Sequence, residues 1–345
     1  MKTWMMTGGQ PLARFGDVAR QAAAAGFAGL VVTESGRTAY LSCAAAALTG
    51  ADLDLATGVA VAFPRSPMVT ASTAWELAEL TGGRFRLGLG TQVRAHIERR
   101  YAAAFDPPGP RLREYVQAVK ASFAAFRGEP LAFHGKYWDL SLLPAMWSPG
   151  PIGVPDPPVD VAAVNPWMLR MAADVADGVH VHPLNTPTYY KETLLPNVSS
   201  RRGTSNGTRF ALFVPVFTVA GDTEADRRRT RESCRTMVAF YGSTPNYGFL
   251  FEQLGYPGTT DAIRAAQKAG DPAAMAAVVT DDILGHFVVE GTWAELPDRL
   301  ASRLAPLTAA GFEVHAVLYL AGAAAVSNPE EFARFGELAA AMRSR

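Results

Sequence analysis

The hydrophobic pattern is clearest between Leu53 and Gln92, where two short apolar runs flank a longer amphipathic one. The first run, LDLATGVAVAF, is apolar with β-branched residues and ends at Pro64, which is typical of a buried strand. The middle run begins at Pro67 and ends at a Gly-Gly pair, which predicts a helix. The third run, RFRLGLGTQ, predicts a strand that opens into a glycine-rich turn. Together they predict a parallel strand–helix–strand unit whose two strand ends lie at one edge of the sheet.

The same alternation of apolar and amphipathic runs continues along the rest of the chain. It predicts six further strands, at residues 2–7, 27–33, 159–164, 178–182, 210–220 and 312–320. It predicts helices at residues 12–25, 40–48, 111–126, 223–241, 293–307 and 329–342, and one more that opens at 165–166. Residues 131–140 predict a hairpin, and residues 242–282 are interpreted as an insertion of short helices, either a lid or a subunit contact.

Eight strands in alternation with helices favour an α/β fold of the (β/α)8 TIM-barrel type with insertions, formed by residues 1–345 as a single domain. A doubly wound open sheet is the alternative, because the number of strands does not show whether the sheet closes. In either fold, the residues that follow the carboxyl ends of the strands are the candidates for chemistry.

Composition narrows the class of protein. With 345 residues, 49% of them hydrophobic, the chain is long enough to bury a sizeable core. Its 32 basic and 32 acidic side chains cancel and are scattered, so no nucleic-acid partner is predicted. The two cysteines imply neither a disulfide framework nor a zinc site. Neither an apolar leader nor a bilayer-spanning run is found, so a cytoplasmic protein without a membrane partner is predicted.

Two candidate site residues lie in or directly after the second and third strands. Glu34 comes directly after an apolar strand, so its carboxylate is a candidate general acid or a hydrogen-bond partner for a polar ring edge. The alternative is an ordinary loop carboxylate. Gly58 interrupts a strand of β-branched residues, which indicates a bulge or the close approach of a ligand; the alternative is tight packing in the sheet.

Further candidates follow the next three strands. The turn GLGTQ, residues 88–92, presents backbone N–H groups that suit an anion, but its spacing is not that of a dinucleotide or phosphate loop. His96 follows it, as a ligand contact or as a surface histidine. Residues 163–166 join a strand end to a helix N-terminus, which suits a phosphate. His180 and His182 share one face of the sixth strand, and without a third ligand they predict no metal site.

The sequence does not favour a hydrolase. Its one G-x-S-x-G string, residues 203–207, comes before a predicted strand instead of joining a strand to a helix, so it does not fit a nucleophile elbow, and no paired-carboxylate motif stands out. The pattern therefore suits a barrel that binds a phosphate-bearing cofactor more than it suits a hydrolase.

Several segments resemble the bacterial luciferase-like superfamily. They are TGVAVAFPRSP with LAELTGGRFRLGLGTQ, RLREYVQAV, FHGKYWDL, PPVDVAAVNPWMLRMAADVADGV and FYGSTPNYGFL. The chain is most similar to the branch that uses the 5-deazaflavin coenzyme F420 rather than FMN, and the resemblance covers nearly the whole chain. It implies a TIM barrel that holds the tricyclic ring at the carboxyl ends of the strands.

The resemblance also implies site residues. The family's non-proline cis peptide in strand three falls at Gly58–Val59, and its acidic position after strand two falls at Glu34. Its polar contacts after strand four fall at Thr91, Gln92 and His96, and its phosphate-binding turn after strand five falls at Ala163, Val164 and Asn165. Gly90 and His182 are further candidate cofactor contacts because they lie near strand ends.

The chain departs from the family pattern at two of these positions. Many members have Asp-His after strand two, where this chain has Glu34-Ser35, so the usual proton-relay histidine is missing there. Many members open the strand-five helix with Gly-Pro, where this chain has Asn165-Pro166. Asparagine tolerates a left-handed backbone, which would preserve the turn.

Hydride transfer is the function that these observations favour. Reduced F420 would exchange a hydride with a small-molecule or peptide-borne substrate at a C=C or C=N bond, or at a carbonyl or alcohol carbon. Glu34 or His96 is the expected proton donor, and the expected apolar cover over the substrate is Tyr241, Tyr247, Phe249 and Phe251. An FMN-dependent monooxygenase and a non-catalytic flavin-binding barrel are the alternatives. A homodimer is expected by analogy with the family.

Overall fold

A computed structural model describes residues 1–201, 204–205 and 208–345. The chain divides into two compact units. The first unit comprises residues 4–180, and the second comprises residues 1–3 and 181–345. Both units are built from parallel strands and helices. The assignment of the whole chain to a single domain stays a prediction.

The first unit contains the strands of the N-terminal half of the chain. They are β1 Lys2–Gly8, which begins in the second unit, β2 Gly29–Thr33, β3 Asp54–Thr57, β4 Ala60–Val61, β5 Phe85–Gly90, β6 Phe133–His134, β7 Asp139–Leu140, β8 Val159–Ala162 and β9 Gly178–His180. Its helices are α1 Leu12–Ala25, α2 Ala39–Ala47, α3 Pro67–Leu80, α4 Arg94–Arg99, α5 Pro108–Phe126 and α6 Pro166–Val175.

Apart from β6 and β7, these strands form one parallel sheet in the first unit. β1 pairs with β2, β2 with β3, β3 and β4 with β5, β5 with β8, and β8 with β9. The predicted hairpin is confirmed as the antiparallel pair β6–β7. Local sequence signals set the helix limits: Ser66 caps α3 by accepting a hydrogen bond from the Val69 N–H, and α1 ends at Gly26 with a left-handed backbone.

The second unit contains β10 Thr204–Ser205, β11 Thr208–Arg209, β12 Ala211–Ala220, β13 Val288–Gly291 and β14 Glu313–Leu318. Its helices begin with α7 Pro187–Tyr189 and α8 Leu195–Asn197, which a π-helical turn joins. The others are α9 Glu224–Gly242, α10 Gly248–Glu252, α11 Thr259–Lys268, α12 Pro272–Val278, α13 Asp281–Phe287, α14 Leu296–Ala309, α15 Ala321–Ser327 and α16 Pro329–Met342.

Strand β12 is the centre of the second unit. It pairs in parallel with β14 through residues 211–216 and with β13 through residues 217–220. All of its residues are buried, as expected for a near-continuous apolar strand that is covered on both faces.

Most predicted elements are found where the pattern places them, and helices α1 and α16 match residues 12–25 and 329–342. The insertion at residues 242–282 carries short helices, as predicted. Strand β13 and helix α15 were not predicted. The predicted strand at residues 53–63 consists of two short strands, β3 and β4, with Gly58 and Val59 between them.

Membrane-spanning helices and clusters of metal-binding side chains are both absent from the described residues. Within residues 1–201, 204–205 and 208–345, no helix is both long and apolar enough to cross a bilayer. The same residues contain no cluster of three or more His, Cys, Asp or Glu side chains that could hold a metal ion. Cys43 and Cys234 are buried free thiols.

Candidate functional site

A bulge interrupts the sheet between β3 and β5. Ala56 lies opposite Arg86, and pairing resumes with Ala60 opposite Leu89, so four steps on one side face three on the other. One extra residue is therefore accommodated between β3 and β4, which defines a bulge. We call residues 57–59 the β3 bulge. The Gly58–Val59 peptide within it is cis, as the family resemblance implied.

The Thr57 side chain replaces the missing ladder contacts at the β3 bulge. Its hydroxyl donates to the Gly88 carbonyl at 2.8 Å and accepts from the Gly88 N–H at 2.9 Å. The Gly58 N–H still donates to the Val32 carbonyl on the other side, at 2.8 Å. The bulge is thus held from both neighbouring strands.

Glycines surround the β3 bulge because no side chain fits there. A Cβ on Gly58 would lie 2.0 Å from Val31 Cγ1, and a Cβ on Gly90 would lie 2.5 Å from Val59 Cγ2. A Cβ on Gly88 would lie 2.0 Å from the Thr57 carbonyl oxygen. Both readings of Gly58 from the sequence, a bulge and tight packing, are therefore correct.

Glu34 is held in an ion pair rather than free to exchange a proton. Arg65 donates to both carboxylate oxygens, from Nη2 to Oε1 at 2.6 Å and from Nη1 to Oε2 at 3.0 Å. The Val61 N–H donates to Oε2 at 2.7 Å, and Arg65 also donates to the Val61 carbonyl. The pair therefore fixes β4, directly after the β3 bulge. This geometry argues against Glu34 as the proton donor, because a proton on either oxygen would face an existing donor.

The residues after β5 are polar and accessible. Thr91 is partly buried and donates its hydroxyl to the Gln92 carbonyl at 3.1 Å. Gln92 is exposed and has a left-handed backbone, with φ of 54°. His96 is exposed on the short helix α4, in which Ile97 is the buried residue. Thr91 and Gln92 thus directly follow the strand that borders the β3 bulge, whereas His96 lies further along the chain.

The turn after β8 has fewer free N–H donors for a phosphate than the sequence suggested. Asn165 caps α6, and its Oδ1 accepts from the Met168 N–H at 3.0 Å. Pro166 is the first helical residue and has no N–H. Of the first three helical residues, Pro166 and Met168 therefore have no free N–H group to offer an anion. The Asn165 backbone is extended, with φ of −82°, so the expected left-handed turn is wrong. Ala163 is buried and Val164 partly buried.

His180 lies in the space that the glycines leave. A Cβ on Gly88 would approach its Nε2 to 2.5 Å, and a Cβ on Gly58 would approach its Cε1 to 3.3 Å. Burial lowers the pKa of His180 to about 4, with the Asp160 carboxylate opposing this effect and the Arg86 guanidinium adding to it. His180 is therefore a neutral imidazole behind the β3 bulge.

Sequence reasoning missed Arg65, Arg86 and Asp160. Arg86 donates to Asp160 from Nε at 2.8 Å and from Nη2 at 2.7 Å, and the carboxylate is fully buried. A signal was available, because Arg86 and Asp160 are charged residues inside two apolar strand patterns. For Arg65, which lies in a turn, no such signal exists.

His182 lies in the second unit and contacts two tyrosines. Its Nδ1 accepts from the Leu184 N–H at 3.1 Å. Its ring centroid is 4.0 Å from that of Tyr247 and 5.0 Å from that of Tyr241. Burial lowers the pKa of His182 to about 3 and raises that of Tyr247 to about 12. Both side chains are therefore neutral at ordinary pH.

The two expected phenylalanines of the substrate cover differ in accessibility. Phe249 is partly exposed. Phe251 is 1% exposed and packs against Phe287, with ring centroids 5.4 Å apart. Phe251 is therefore a core residue, which corrects its assignment to the cover.

A family model described as luciferase-like monooxygenase matches residues 2–310. The chain belongs to the luciferase-like monooxygenase family. An uncharacterized protein of Mycobacterium tuberculosis is 35% identical over 283 residues, which is 81% of this chain and 83% of that protein. The 5,10-methylenetetrahydromethanopterin reductase of Archaeoglobus fulgidus is 28% identical over 80% of this chain and 79% of that enzyme.

A solved structure shares the fold of this luciferase-like protein. The coenzyme F420-dependent tetrahydromethanopterin reductase from Methanopyrus kandleri matches with a TM-score of 0.73, at 19% identity. The match covers 98% of this chain and 96% of that chain. The predicted fold class, a (β/α)8 barrel with insertions, is thereby confirmed.

We expect the stability of this luciferase-like protein to fall as the pH is lowered from about 6.5 to about 4, partly through His180. Over this range the unfolded chain binds a proton that the folded imidazole does not, so stability present above pH 6.5 is lost on acidification. The difference of 6.5 minus 4 corresponds to about 3 kcal/mol. Urea unfolding at a series of pH values measures this slope.

Two variants test the assignment to His180. His180→Gln should flatten this part of the stability curve, whatever it does to stability at neutral pH. His286→Gln, at an exposed position, should leave the slope unchanged. An unaltered slope in His180→Gln would contradict the prediction.

Proposed function

We propose that the chain is an oxidoreductase that binds coenzyme F420 and transfers a hydride between the cofactor and a small-molecule substrate. The observation that carries the proposal is the β3 bulge, against which Gly88 and Gly90 pack at one strand end. Sequence similarity to a methylenetetrahydromethanopterin reductase supports the same reaction class. When bound, reduced F420 supplies the hydride, and the protein supplies binding and orientation.

The donor set fits the ring of such a cofactor better than its phosphate. Thr91 and Gln92 offer uncharged hydrogen-bonding groups after β5, which suit the polar edge of a tricyclic ring. At the α6 N-terminus, the Asn165 side chain caps the helix and Pro166 has no N–H. An anion could therefore interact only with the helix dipole and the Trp167 N–H. We propose the ring contacts Gly58, Val59, Gly90, Thr91, Gln92 and His96, and the phosphate contacts Ala163, Val164 and Asn165.

Three further assignments belong to the proposal. Glu34 supports the cofactor site indirectly, because its carboxylate binds the Val61 N–H. Of the two expected proton donors, Glu34 and His96, we therefore assign the role to His96. Tyr241, Tyr247 and Phe249 contact the substrate, whose acceptor is a C=C or C=N bond or a carbonyl. A homodimer and a cytoplasmic location stay predictions.

A second candidate is an FMN-dependent monooxygenase, which the description of the family itself favours. Both candidates require the barrel to bind a tricyclic cofactor, so a cofactor titration separates them. A non-catalytic flavin-binding barrel would bind a cofactor without turning over any substrate.

Titration with oxidised F420 and separately with FMN, followed by tryptophan quenching, tests the proposal. We expect F420 to bind in the micromolar range and at least about tenfold more tightly than FMN. The reverse preference would support the monooxygenase, and binding of neither would overturn both.

A matched pair of variants locates the site. Gln92→Gly removes the side chain but keeps a residue that accepts the left-handed backbone, so F420 binding should weaken about fivefold without loss of stability. Ala102→Gly changes the other non-glycine residue with positive φ among the described ranges and should leave F420 binding unchanged. Equal F420 affinity in Gln92→Gly and the unmodified protein would remove Gln92 from the site.

A further inference from the structure

Two tyrosine hydroxyls in the second unit form a pair that retains a free proton. Tyr241 lies near the end of α9, and Tyr319 directly follows β14. Their hydroxyl oxygens are 2.6 Å apart. Two hydroxyls joined by one hydrogen bond use one of their two protons, so the other can be donated to a third group. The pair therefore presents a donor beyond itself.

His182, whose ring contacts that of Tyr241, supplies a second donor. Because its Nδ1 accepts from the Leu184 N–H, the proton of the neutral imidazole lies on Nε2. Its ring meets the Tyr241 ring edge to face and lies against the ring of Tyr247. We call His182, Tyr241, Tyr247 and Tyr319 the tyrosine–histidine cluster.

The surroundings of the tyrosine–histidine cluster are apolar and uncharged. Phe217 and Phe240 pack on it, with ring centroids 4.8 Å from Tyr319 and 5.2 Å from Tyr241. Burial raises the pKa of Tyr241 and of Tyr319; the hydrogen bond between them opposes this rise for Tyr241 and adds to it for Tyr319, and no charged side chain of the described residues contributes. Neutral donors in an apolar setting suit an uncharged acceptor oxygen, since an anion would lose its hydration without a cation to replace it.

The position of the tyrosine–histidine cluster also points to a ligand. Tyr319 follows the carboxyl end of β14, which runs parallel to β12, and its N–H donates to the Val216 carbonyl. His182 follows β9, and the neighbouring Val181 N–H donates to the Phe213 carbonyl of β12. Residues just past the carboxyl ends of parallel strands are where α/β proteins bind ligands.

We propose that Tyr319, Tyr241 and His182 hold the carbonyl or hydroxyl oxygen of an uncharged substrate. This inference rests on the proposed function and adds the substrate class and two residues, Tyr319 and His182, to the substrate contacts. It also moves His182 from the cofactor to the substrate. The competing explanation is that the tyrosine pair only ties α9 to β14.

Calorimetric titration with cyclohex-2-enone tests the proposal, with oxidised F420 present at saturation so that no hydride is available for turnover. We expect binding to the unmodified protein, and about tenfold weaker binding in Tyr319→Phe and in His182→Ala. The matched control is Tyr256→Phe, since Tyr256 also packs against a histidine, His286, outside the cluster. It should bind the enone normally. Cyclohex-1-ene-1-carboxylate, an anion of similar size, should bind at least about tenfold more weakly than the enone.

Thermal unfolding of the same variants without cofactor separates the two explanations. A structural tie predicts that Tyr319→Phe lowers the melting temperature and binds the enone as the unmodified protein does, which would overturn the proposal. Failure of the unmodified protein to bind the enone while it binds F420 would also overturn it and leave the proposed function standing. Failure to bind F420 would instead overturn the proposed function.

Discussion

Arg65→Met is expected to weaken F420 binding about tenfold or more and to lower the free energy of unfolding by about 2–3 kcal/mol. The substitution removes both donors that Arg65 gives to Glu34 and leaves a buried carboxylate with the Val61 N–H alone. Removing one partner of a buried pair is costly because it leaves an uncompensated charge. The figure lies below the range for fully buried pairs because the Arg65 side chain is 23% exposed and solvent screens part of the loss.

The double variant with Glu34→Gln identifies the source of the loss. Glutamine still offers an oxygen to the Val61 N–H but carries no charge, so Glu34→Gln with Arg65→Met should cost less than the sum of the two single changes. Urea unfolding measures the free energy of unfolding of each variant, and F420 titration measures its affinity for the cofactor. Arg20→Met, in an exposed pair with Asp17, should change stability by less than about 0.5 kcal/mol.

The two measurements also decide what the ion pair does. If the pair holds β4 beside the cofactor, affinity and stability fall together in Arg65→Met. Full F420 affinity in a destabilised Arg65→Met protein would limit the pair to a structural role. Normal stability in Arg65→Met would contradict the burial argument itself.

The elements that could be predicted are those whose signals are local. Helices α16 and α3 both start with a proline that follows a capping residue, Asn328 and Ser66 respectively, so local sequence signals mark both starts. Strand β13 has four residues and follows directly on α13, so it offers too few positions for a periodic pattern. Helix α15 is short and alanine-rich, with no contrast between its faces in the sequence AGAAAVS.

The candidate site could be predicted by position but not by contact. The strand-end rule selected Glu34, Gly58, Thr91 and Asn165 from the order of strands alone. It could not show that Glu34 meets Arg65, which is 31 residues away, since side-chain pairing depends on how the turns fold. Asn165 illustrates the same limit: its residue type suits several turn conformations, and the cap it makes to Met168 selects one of them.

Tyr319 could not be selected from the sequence because its role depends on a partner. The aromatic content of residues 241–251 marked Tyr241 and Tyr247, whereas Tyr319 ends an apolar strand like many others. What distinguishes Tyr319 is the hydroxyl contact with Tyr241, which is 78 residues away. A contact between polar groups that are so far apart in the sequence cannot be predicted from local sequence patterns.

Gly88→Ala is expected to cost about 3 kcal/mol of folding free energy or more, the upper end for an overpacked interior site. The added methyl group would lie 2.0 Å from the Thr57 carbonyl oxygen and 2.5 Å from His180 Nε2. The Thr57 carbonyl cannot move freely, because the Thr57 side chain is bonded to Gly88 and the next residue, Gly58, is bonded to Val32. Gly153→Ala, where a Cβ meets nothing within 4 Å, is the matched control and should leave stability nearly unchanged.

Thr57→Val keeps the test decisive if Gly88→Ala does not fold. Valine has the shape of threonine but leaves the Gly88 N–H without its acceptor, so we expect a loss of about 1–3 kcal/mol in urea unfolding. Because Thr57 and Gly88 pin the β3 bulge, F420 affinity should fall in the same variant. Unchanged stability in Thr57→Val, or a Gly88→Ala protein as stable as Gly153→Ala, would mean that the bulge is held by other contacts. The expected results would instead show that the bulged strand is held against β5 in two ways. The Thr57 hydroxyl bonds to Gly88, and the absence of a side chain at Gly88 allows the close contact.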